Sequence, residues 1–343
     1  AILSDVRARG DAAVFDCERR FDATELTAEN FRVSEAEFEE AYREVSPDLL
    51  ATLKKAIRNI YEYHSRAGRK DSVETHDGRT TGYVVRPVAS AGIYAPGGTA
   101  PLSSSVLMGV LPAKAAGVKR IVLAPPAKGG KIAPLTLVAA RECGVSEVYK
   151  MGGAQAIAAL AYGTQSVKKV DVIAGPGNIY VTLAKKEVYG EVGIDMLAGP
   201  SEIMIVADGD ANPAYVAADM LSQAEHDVLA RAIVVTTDRA LAQAIAAEAE
   251  AQLARLPRRE VAGKSLAASG GIIVVDTLDE AIALVNEVSP EHLELYTAHP
   301  EELLPKVESA GAVFLGGYTP EPVGDYFAGP DHILPTSGSA KFF

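Results

Sequence analysis

The sequence predicts an α/β protein with an N-terminal helical segment and two units, each built on a parallel sheet with helices on both faces. Up to about residue 69, apolar residues recur at helical spacing. From residue 91 onward, short apolar strands alternate with helices, the pattern of parallel sheets buried on both faces. Glycine-rich turns follow several strands of the first unit, at the strand ends where such sheets bind ligands. Both units are therefore predicted to be Rossmann-like.

Length and composition exclude several functional classes for this protein. The 343 residues suggest about two domains, and the 48% hydrophobic content is enough for full cores. A net charge of −12, with no basic run and no long apolar stretch, argues against nucleic acid and membrane partners. The two cysteines, Cys17 and Cys143, lack metal-type spacing, which favours incidental thiols in a reducing cytoplasm. Because the chain starts with Ala1 rather than Met, we expect processing or truncation there.

The N-terminal helices carry start signals but no sign of a functional site. Ser34, followed three residues later by Glu37, predicts a capping box. Ser46 and Pro47 form a natural cap and first residue for a second, long helix. A strand is expected after it, from Gly82 to Val88.

The first α/β unit combines this alternation with glycine turns. Its strands are expected at Ala91–Tyr94, Arg120–Ala124, Glu147–Met151 and Lys169–Ala174. Its helices are expected at Ser103–Ala116, Pro134–Cys143, Ala154–Tyr162 and Ile179–Val188. The turns beside these strands are Pro96-Gly97-Gly98, Gly152-Gly153 and Gly175-Pro176-Gly177-Asn178. None has the G-x-G-x-x-G spacing, and a single turn can simply reverse the chain, but several along one sheet favour a nucleotide-sized crevice.

The second unit continues the alternation after a Gly199-Pro200-Ser201 turn. Its strands are expected at Ile203–Ala207, Ala232–Thr236, Ile272–Val275, Leu293–Tyr296 and Ala312–Leu315. Helices are expected up to His226 and at Arg239–Leu256, Leu278–Asn286 and Glu301–Ser309. The segment from Pro257 to Gly271 mixes charged and small residues, which is typical of a surface connection.

A pair of polar residues ends the first of these helices. Gln223 and His226 are three residues apart, so a helix places them on one face. An amide oxygen and an imidazole that point the same way can hold a cation. For this pair alone, a solvated helix end is the more common explanation.

Two further clusters combine carboxylates with histidine. Glu291 and His292 stand side by side before a strand, and such neighbours can divide acid–base work. A turn with exposed polar residues would give the same pattern. The Gly- and Pro-rich loop that contains Glu321, Asp325 and His332 suits a rigid ligand-binding turn, and a solvated surface loop is equally compatible.

Together these segments resemble the histidinol dehydrogenase family. The matching runs follow the family's order along most of the chain. They are Tyr94-Ala-Pro-Gly-Gly, Gly152-Gly-Ala-Gln-Ala-Ile-Ala-Ala-Leu-Ala, Gly175-Pro-Gly-Asn, Ala198-Gly-Pro-Ser-Glu, Ser222-Gln-Ala-Glu-His, Pro290-Glu-His-Leu and Gly324-Asp-Tyr.

The resemblance implies a zinc- and NAD-dependent oxidation of L-histidinol to L-histidine through histidinaldehyde, the last step of histidine biosynthesis. It implies that His292 accepts the alcohol proton and that Glu291 activates the water that hydrates the aldehyde. The other implied contacts are zinc at Gln223, His226 and Asp325, NAD at Tyr94, Gln155 and Asn178, and substrate at Ser201, Gln223, His226, His292, Glu321, Asp325 and His332.

The same resemblance implies a cytoplasmic homodimer with a shared active site. Residues 1–90 are expected to join the second unit, 91–202 to bind NAD, and 203–343 to carry zinc and the acid–base residues. The family continues past Phe343 into a tail that crosses to the partner subunit and supplies a substrate-binding Glu and the last zinc-binding His. We therefore expect the sequence to be the ordered part of a longer protein. Asp331 stands where the family usually has Asn.

Three alternatives stay open at this stage. A relative in the same superfamily could oxidise another small polar alcohol, because a few side chains set substrate preference. A zinc hydrolase would use Glu291 on a metal-bound water, without NAD. An inactive fragment would bind zinc weakly because its ligand set is incomplete.

Overall fold

The chain folds into two compact units. The computed structural model describes residues 1–97 and 103–343, apart from the side chain of Asp325. Gly98, the last residue of the first glycine turn, lies outside the described residues. The first unit comprises residues 1–197 and 325–333, and the second comprises residues 198–324 and 334–343.

The first unit is a Rossmann-like domain with added N-terminal helices. Its elements, in chain order, are α1 (Ile2–Arg9), α2 (Asp11–Phe21), α3 (Glu35–Glu44), α4 (Pro47–Ala67), β1 (Ser72–His76), β2 (Arg79–Tyr83), β3 (Ser90–Tyr94), α5 (Ser103–Ala115), β4 (Arg120–Ala124), α6 (Pro134–Glu142), β5 (Glu147–Val148), α7 (Gly153–Tyr162), β6 (Val172–Ala174), α8 (Ile179–Val188) and β7 (Gly193–Ile194). Among the described residues, a parallel sheet has the order β5-β4-β3-β6-β7. The strand order reverses between β3 and β6, and such switch points form ligand crevices.

The N-terminal helices belong to this first unit, which corrects the expectation that residues 1–90 join the second. Helices α1 and α2 pack against α7, whereas α3 packs against α6 and α4 against α5. The physical reason is their apolar faces: Val6 and Val14 enter the core on one side of the sheet, and Phe38 and Ile60 enter the core on the other. Both predicted helix starts are present, with a capping box at Ser34 and a Ser46 side-chain cap.

An exposed hairpin replaces the strand expected from Gly82 to Val88. Strands β1 and β2 pair antiparallel, and their two-residue turn is Asp77-Gly78. Both turn residues have positive φ, at 52° and 71°. Asp-Gly is a favoured pair for such a turn, and this local signal was missed because the strand residues are polar rather than alternating.

The second unit repeats the topology of the first. Its elements are β8 (Glu202–Ala207), α9 (Pro213–Ala224), β9 (Arg231–Thr236), α10 (Arg239–Leu253), α11 (Arg259–Ser269), β10 (Gly270–Val274), α12 (Leu278–Val288), β11 (His292–Tyr296), α13 (Pro300–Leu303), β12 (Ala312–Leu315) and α14 (Glu321–Val323). The parallel sheet has the order β10-β9-β8-β11-β12, so its switch point lies between β8 and β11. The predicted α/β class with two Rossmann-like sheets is confirmed.

Three local expectations in this unit were wrong, the first being the helix expected at Glu301–Ser309, where the structure has only α13 and a short 3-10 turn, Leu304–Lys306. The segment from Pro257 to Gly271 contains the helix α11, which packs on α9 and β9 through buried Ala262 and Ser265. Few apolar residues were needed to bury that face, so hydrophobic periodicity did not indicate it. Helix α9 ends at Ala224, which places His226 just after the helix instead of in its last turn.

The core of the second unit lies on both faces of its sheet. Along β8, Ile203 and Ile205 pack on one face while Met204 and Val206 pack on the other, as strand alternation requires. Helix α9 covers the first of these faces with Val216 and Met220. Among the described helices, none has the length and apolar character needed to cross a membrane.

A buried ion pair fixes the turn that follows β6. The Lys185 ammonium is 2% exposed and pairs with the Asp195 carboxylate. Lys185 Nζ also donates to the carbonyl oxygen of Gly175 at 3.0 Å, and Asp195 Oδ2 accepts the Gly175 N–H at 2.7 Å. Gly175 has a φ of 123°, and a Cβ there would lie 2.1 Å from the Tyr94 carbonyl oxygen, so the turn requires glycine.

We expect Lys185→Met to destabilise the protein by about 3 kcal/mol, because it leaves the Asp195 carboxylate buried without its counter-ion. Lys186→Met is the matched control, since Lys186 is the next residue and is exposed. Urea denaturation followed by circular dichroism would measure both. Equal midpoints for the two variants would show that the ion pair does not stabilise this turn.

Candidate active site

The expected acid–base pair lies at the switch point of the second sheet. Strand β8 begins at Glu202, but its pairing with β11 begins one residue later, at Ile203. The backbone of Glu202 is therefore not paired with β11. Glu291 Oε2 accepts the Glu202 N–H at 2.9 Å, and His292 Nδ1 lies 2.9 Å from the Glu202 carbonyl oxygen. Glu291 and His292 are 6% and 3% exposed. Two adjacent side chains thereby satisfy both backbone groups of a single residue.

These contacts determine the tautomer of His292. A carbonyl oxygen only accepts hydrogen bonds, so His292 Nδ1 must carry the proton. In the neutral ring, Nε2 then holds the basic lone pair. The ring also lies against Phe314, with centroids 6.0 Å apart, which restricts its rotation. This arrangement suits a general base.

The C-terminal end of α9 lies toward the same end of the sheet. A helix that connects two parallel strands returns the chain from the carboxyl end of one to the amino end of the next. Gln223, in the last turn of α9, is 0% exposed, and neither amide atom has a hydrogen-bond partner among the described residues. Buried amides are rarely left unsatisfied. A cation bound by the amide oxygen would satisfy that atom.

His226 follows α9 and is exposed. Its Nδ1 lies 2.7 Å from the carbonyl oxygen of Ser222, which places the proton on Nδ1 and the lone pair on Nε2. Histidines that bind metals are commonly oriented in this way through their other ring nitrogen. Gln223 and His226 are therefore suitable zinc ligands.

The third expected ligand, Asp325, cannot be placed because its side chain lies outside the described residues. Within the part of the chain that is described, no group of three or more His, Cys, Asp and Glu side chains could hold a metal. The amide of Gln223 is not among these residue types, so the pair it forms with His226 is compatible with that result.

Three buried carboxyl groups lie on or against α9. Glu321 is 3% exposed, and its Oε2 is 3.3 Å from the Ser222 hydroxyl. Asp219 and Glu294 hydrogen-bond to each other. Burial raises the pKa of both carboxyls, and the negative charge of Asp219 raises that of Glu294 further. Two buried carboxyls can bond only if they share a proton.

In the first unit, the structure places two of the expected NAD contacts around the start of α7. Tyr94 ends β3, and its hydroxyl accepts the Gly153 N–H at 3.2 Å. Gln155 Nε2 donates to Glu18 Oε1 at 2.9 Å, and the same oxygen accepts the Gly152 N–H at 2.8 Å. Burial raises the pKa of Tyr94 to about 12, so its hydroxyl stays neutral.

The third NAD candidate, Asn178, is exposed and caps α8. Its Oδ1 accepts the N–H groups of Tyr180 and Val181, which leaves its amide nitrogen for other contacts. Asn178 ends the turn that the Lys185–Asp195 pair fixes. Tyr94 and this turn therefore lie at the carboxyl ends of β3 and β6, the two strands of the switch point.

The remaining candidates have simpler surroundings. Ser201 precedes β8, and its carbonyl oxygen accepts the Arg231 N–H. His332 belongs to the first unit, where its ring meets Tyr326 edge-on at 5.9 Å. Burial raises the pKa of Cys17, and that of Cys143 to about 12, so both thiols stay protonated and are poor nucleophiles.

Three carboxyl residues escaped the sequence analysis: Glu18, Asp219 and Glu294. Glu294 lies two residues after His292 on β11, so strand alternation places both on one face. Asp219 lies one helical turn before Gln223 on α9. These spacings were available in the sequence, but only the fold shows that α9 covers that face. Glu18 had no such signal, because its partners are more than 130 residues away.

Comparisons with known proteins agree over the whole chain. The sequence profile of the histidinol dehydrogenase family matches residues 1–343. Histidinol dehydrogenase of Moorella thermoacetica is 56% identical, over 100% of this chain and 81% of its own length. The enzyme of Heliobacterium mobile is 55% identical, over 100% of this chain and 80% of its own length.

Solved structures give the same result. The crystal structure of histidinol dehydrogenase from Elizabethkingia anophelis matches with a TM-score of 0.96 at 41% identity, over 100% of this chain and 79% of that one. An NAD-dependent aldehyde dehydrogenase from Sinorhizobium meliloti, at 14% identity and a TM-score of 0.51, covers 99% of this chain and 84% of its own, and shares the fold only. The chain therefore belongs to the histidinol dehydrogenase family and is an oxidoreductase of histidine biosynthesis.

Proposed function

We propose that the protein catalyses the four-electron oxidation of L-histidinol to L-histidine through histidinaldehyde, with NAD and zinc as cofactors. The observation that carries the proposal is the buried Glu291–His292 pair, oriented by the backbone of Glu202. One alcohol, one water and two NAD+ would give one carboxylate, two NADH and three protons. The chain must therefore supply bases for both an alcohol and a water.

We assign to His292 the role of the base that accepts the alcohol proton. Its Nε2 takes the hydroxyl proton of histidinol while the carbinol hydrogen leaves as hydride, so that the C–O bond becomes a carbonyl. NAD, when bound, accepts that hydride. General-base catalysis of this kind contributes about 10²- to 10⁴-fold to a rate. The carbonyl of Glu202 favours the protonated ring that results, because Nδ1–H already donates to it.

We assign to Glu291 the role of the base that activates the water. Its Oε2 is engaged by the Glu202 N–H, and its other oxygen is the acceptor for a water proton as the water adds to the aldehyde carbon. The product is a geminal diol. Once His292 has released the first proton to solvent, its Nε2 takes a hydroxyl proton from the diol as a second hydride leaves, which gives the carboxylic acid; a second NAD, when bound, would accept that hydride.

The zinc proposal assigns the metal to Gln223, His226 and Asp325, with Ser201, Glu321 and His332 as substrate contacts. Zinc, when bound, would supply a Lewis acid that holds the amine and imidazole of histidinol. The observation that supports this fit is the Gln223 amide, which is buried and lacks a hydrogen-bond partner among the described residues.

The NAD proposal assigns the cofactor to the switch point of the first sheet, with contacts at Tyr94, Gln155 and Asn178. We also propose a homodimer with a shared active site, located in the cytoplasm. Cys17 and Cys143 form no disulfide, and such sparse, unbridged cysteines support a reducing compartment.

The first experiment is to count NADH formed per L-histidinol consumed, with and without a zinc chelator. Two NADH per substrate, lost on chelation and restored by zinc, is the expected result. Turnover without NAD would favour the hydrolase. Activity with another polar alcohol but not with histidinol would reassign the substrate. If the protein is inactive and a chain extended to the length of its relatives is active, the added residues supply groups that the active site needs.

Glu291→Gln should slow the second oxidation by about 10²-fold or more and spare the first, because an amide cannot take the water proton. The amide oxygen can still accept the Glu202 N–H, so the fold should persist. Rapid-mixing measurement of NADH from histidinol and from histidinaldehyde would separate the steps. Glu301→Gln, at an exposed position, is the control. Equal loss of both oxidations would contradict this division of labour.

His226→Ala should weaken zinc binding by at least about tenfold, since it removes one ligand. Zinc content after gel filtration reports this without an activity assay. His76→Ala is the matched control, because His76 lies on the exposed hairpin. Full zinc retention by His226→Ala would remove His226 from the ligand set.

A further inference from the structure

We propose that Glu18 is a positioning residue of the cofactor site, because its buried carboxyl orients the Gln155 amide and fixes the Gly152–Gly153 turn. The inference rests on the proposed NAD contacts at Tyr94, Gln155 and Asn178. It adds a residue from the N-terminal helices, far from those contacts in the sequence.

The geometry around Glu18 is specific. Its side chain projects from α2 and is 0% exposed. One oxygen, Oε1, accepts both the Gly152 N–H at 2.8 Å and the Gln155 Nε2 at 2.9 Å. The backbone of the turn and the amide of Gln155 are therefore held by the same atom.

Charge on Glu18 determines which way the Gln155 amide faces. An ionised carboxylate only accepts hydrogen bonds, so the amide must present its nitrogen to Glu18. The Gln155 oxygen is then turned away from Glu18. A protonated Glu18 could donate as well as accept, and it would hold the amide less strongly.

Hydrogen bonds to protein side chains also occupy the two N–H groups at the start of α7. Glu18 takes the Gly152 N–H, and the Tyr94 hydroxyl takes the Gly153 N–H. A helix N-terminus is a common phosphate site because these groups are usually unpaired. Here they bond to side chains of the protein itself, so the start of α7 supports the cofactor site and offers no donors at these two positions for a phosphate.

Several charged and titratable groups face Glu18. Asp22 follows α2, interacts with the Glu18 carboxyl and has Lys128 nearby. Tyr94 faces Glu18 from β3. Burial raises the pKa of Glu18 to about 7, with Asp22 adding to the rise. Both charge states of Glu18 are therefore populated near neutral pH.

The test is the dissociation constant of NAD, measured by titration calorimetry on the zinc-loaded protein between pH 6 and pH 8.5. For the native protein, affinity should rise about fivefold as pH increases through about 7, because the carboxylate is the stronger acceptor. Glu18→Gln resembles the protonated residue, so it should bind NAD with the weaker, acid-side affinity at every pH.

Two further variants keep the test decisive. Glu44→Gln makes the same chemical change at an exposed position and should follow the native curve. Asp22→Asn should move the midpoint to lower pH, because it removes a negative neighbour of Glu18. Zinc content should be native in all three variants.

The outcomes separate this inference from the proposed function. Identical NAD curves for the native protein, Glu18→Gln and Asp22→Asn would overturn the role of Glu18 and leave NAD binding intact. No NAD binding by the native protein at any pH would overturn the cofactor proposal, and this inference with it.

Discussion

The candidate active site of the second unit depends on one constraint: the backbone of Glu202 must find hydrogen-bond partners where its pairing with β11 ends. The pairing of β8 with β11 begins at Ile203, so within the described parts of the chain Glu202 has no backbone partner on that side. Unpaired buried backbone groups cost free energy comparable to a lost hydrogen bond. The Glu291 carboxylate and the His292 imidazole satisfy them, and in doing so they acquire fixed positions and a fixed tautomer.

The two units share one topology but use opposite ends of their sheets. In the first, the candidate cofactor residues Tyr94 and Asn178 lie at or beyond the carboxyl ends of β3 and β6, where open parallel sheets usually bind ligands. In the second, Glu291 and His292 lie at the amino ends of β8 and β11. The end of α9 can contribute there because a connecting helix returns to the amino side. The same winding rule thus supports two different kinds of site.

Most strands of the two sheets could be predicted because parallel strands buried on both faces are continuous apolar runs, whereas the two-residue edge strand β7 has no such run and was missed. Strands β4 and β12 match their expected bounds. Helix α11 was missed because its packed face is short, consisting of Ala262, Ser265 and the partly buried Leu266, and the hairpin was missed because its strands are polar and exposed. The residue pairs of the candidate site came from adjacency and from family resemblance. Glu18 could not be predicted, since its carboxyl meets Gly152 only after α2 packs on α7.

In His226 and His292, the same kind of hydrogen bond supports two different proposed roles. In both, Nδ1 faces a backbone carbonyl, of Ser222 and of Glu202, so each neutral ring keeps its lone pair on Nε2. What differs is the surroundings. His292 is 3% exposed and lies next to a carboxylate, which suits proton transfer shielded from water. His226 is exposed and lies three residues after Gln223, whose buried amide has no hydrogen-bond partner among the described residues. That position suits a ligand to a cation that binds from solvent. The backbone carbonyl determines the tautomer of each ring. Burial then favours proton transfer at Nε2 of His292, and exposure favours cation binding at Nε2 of His226.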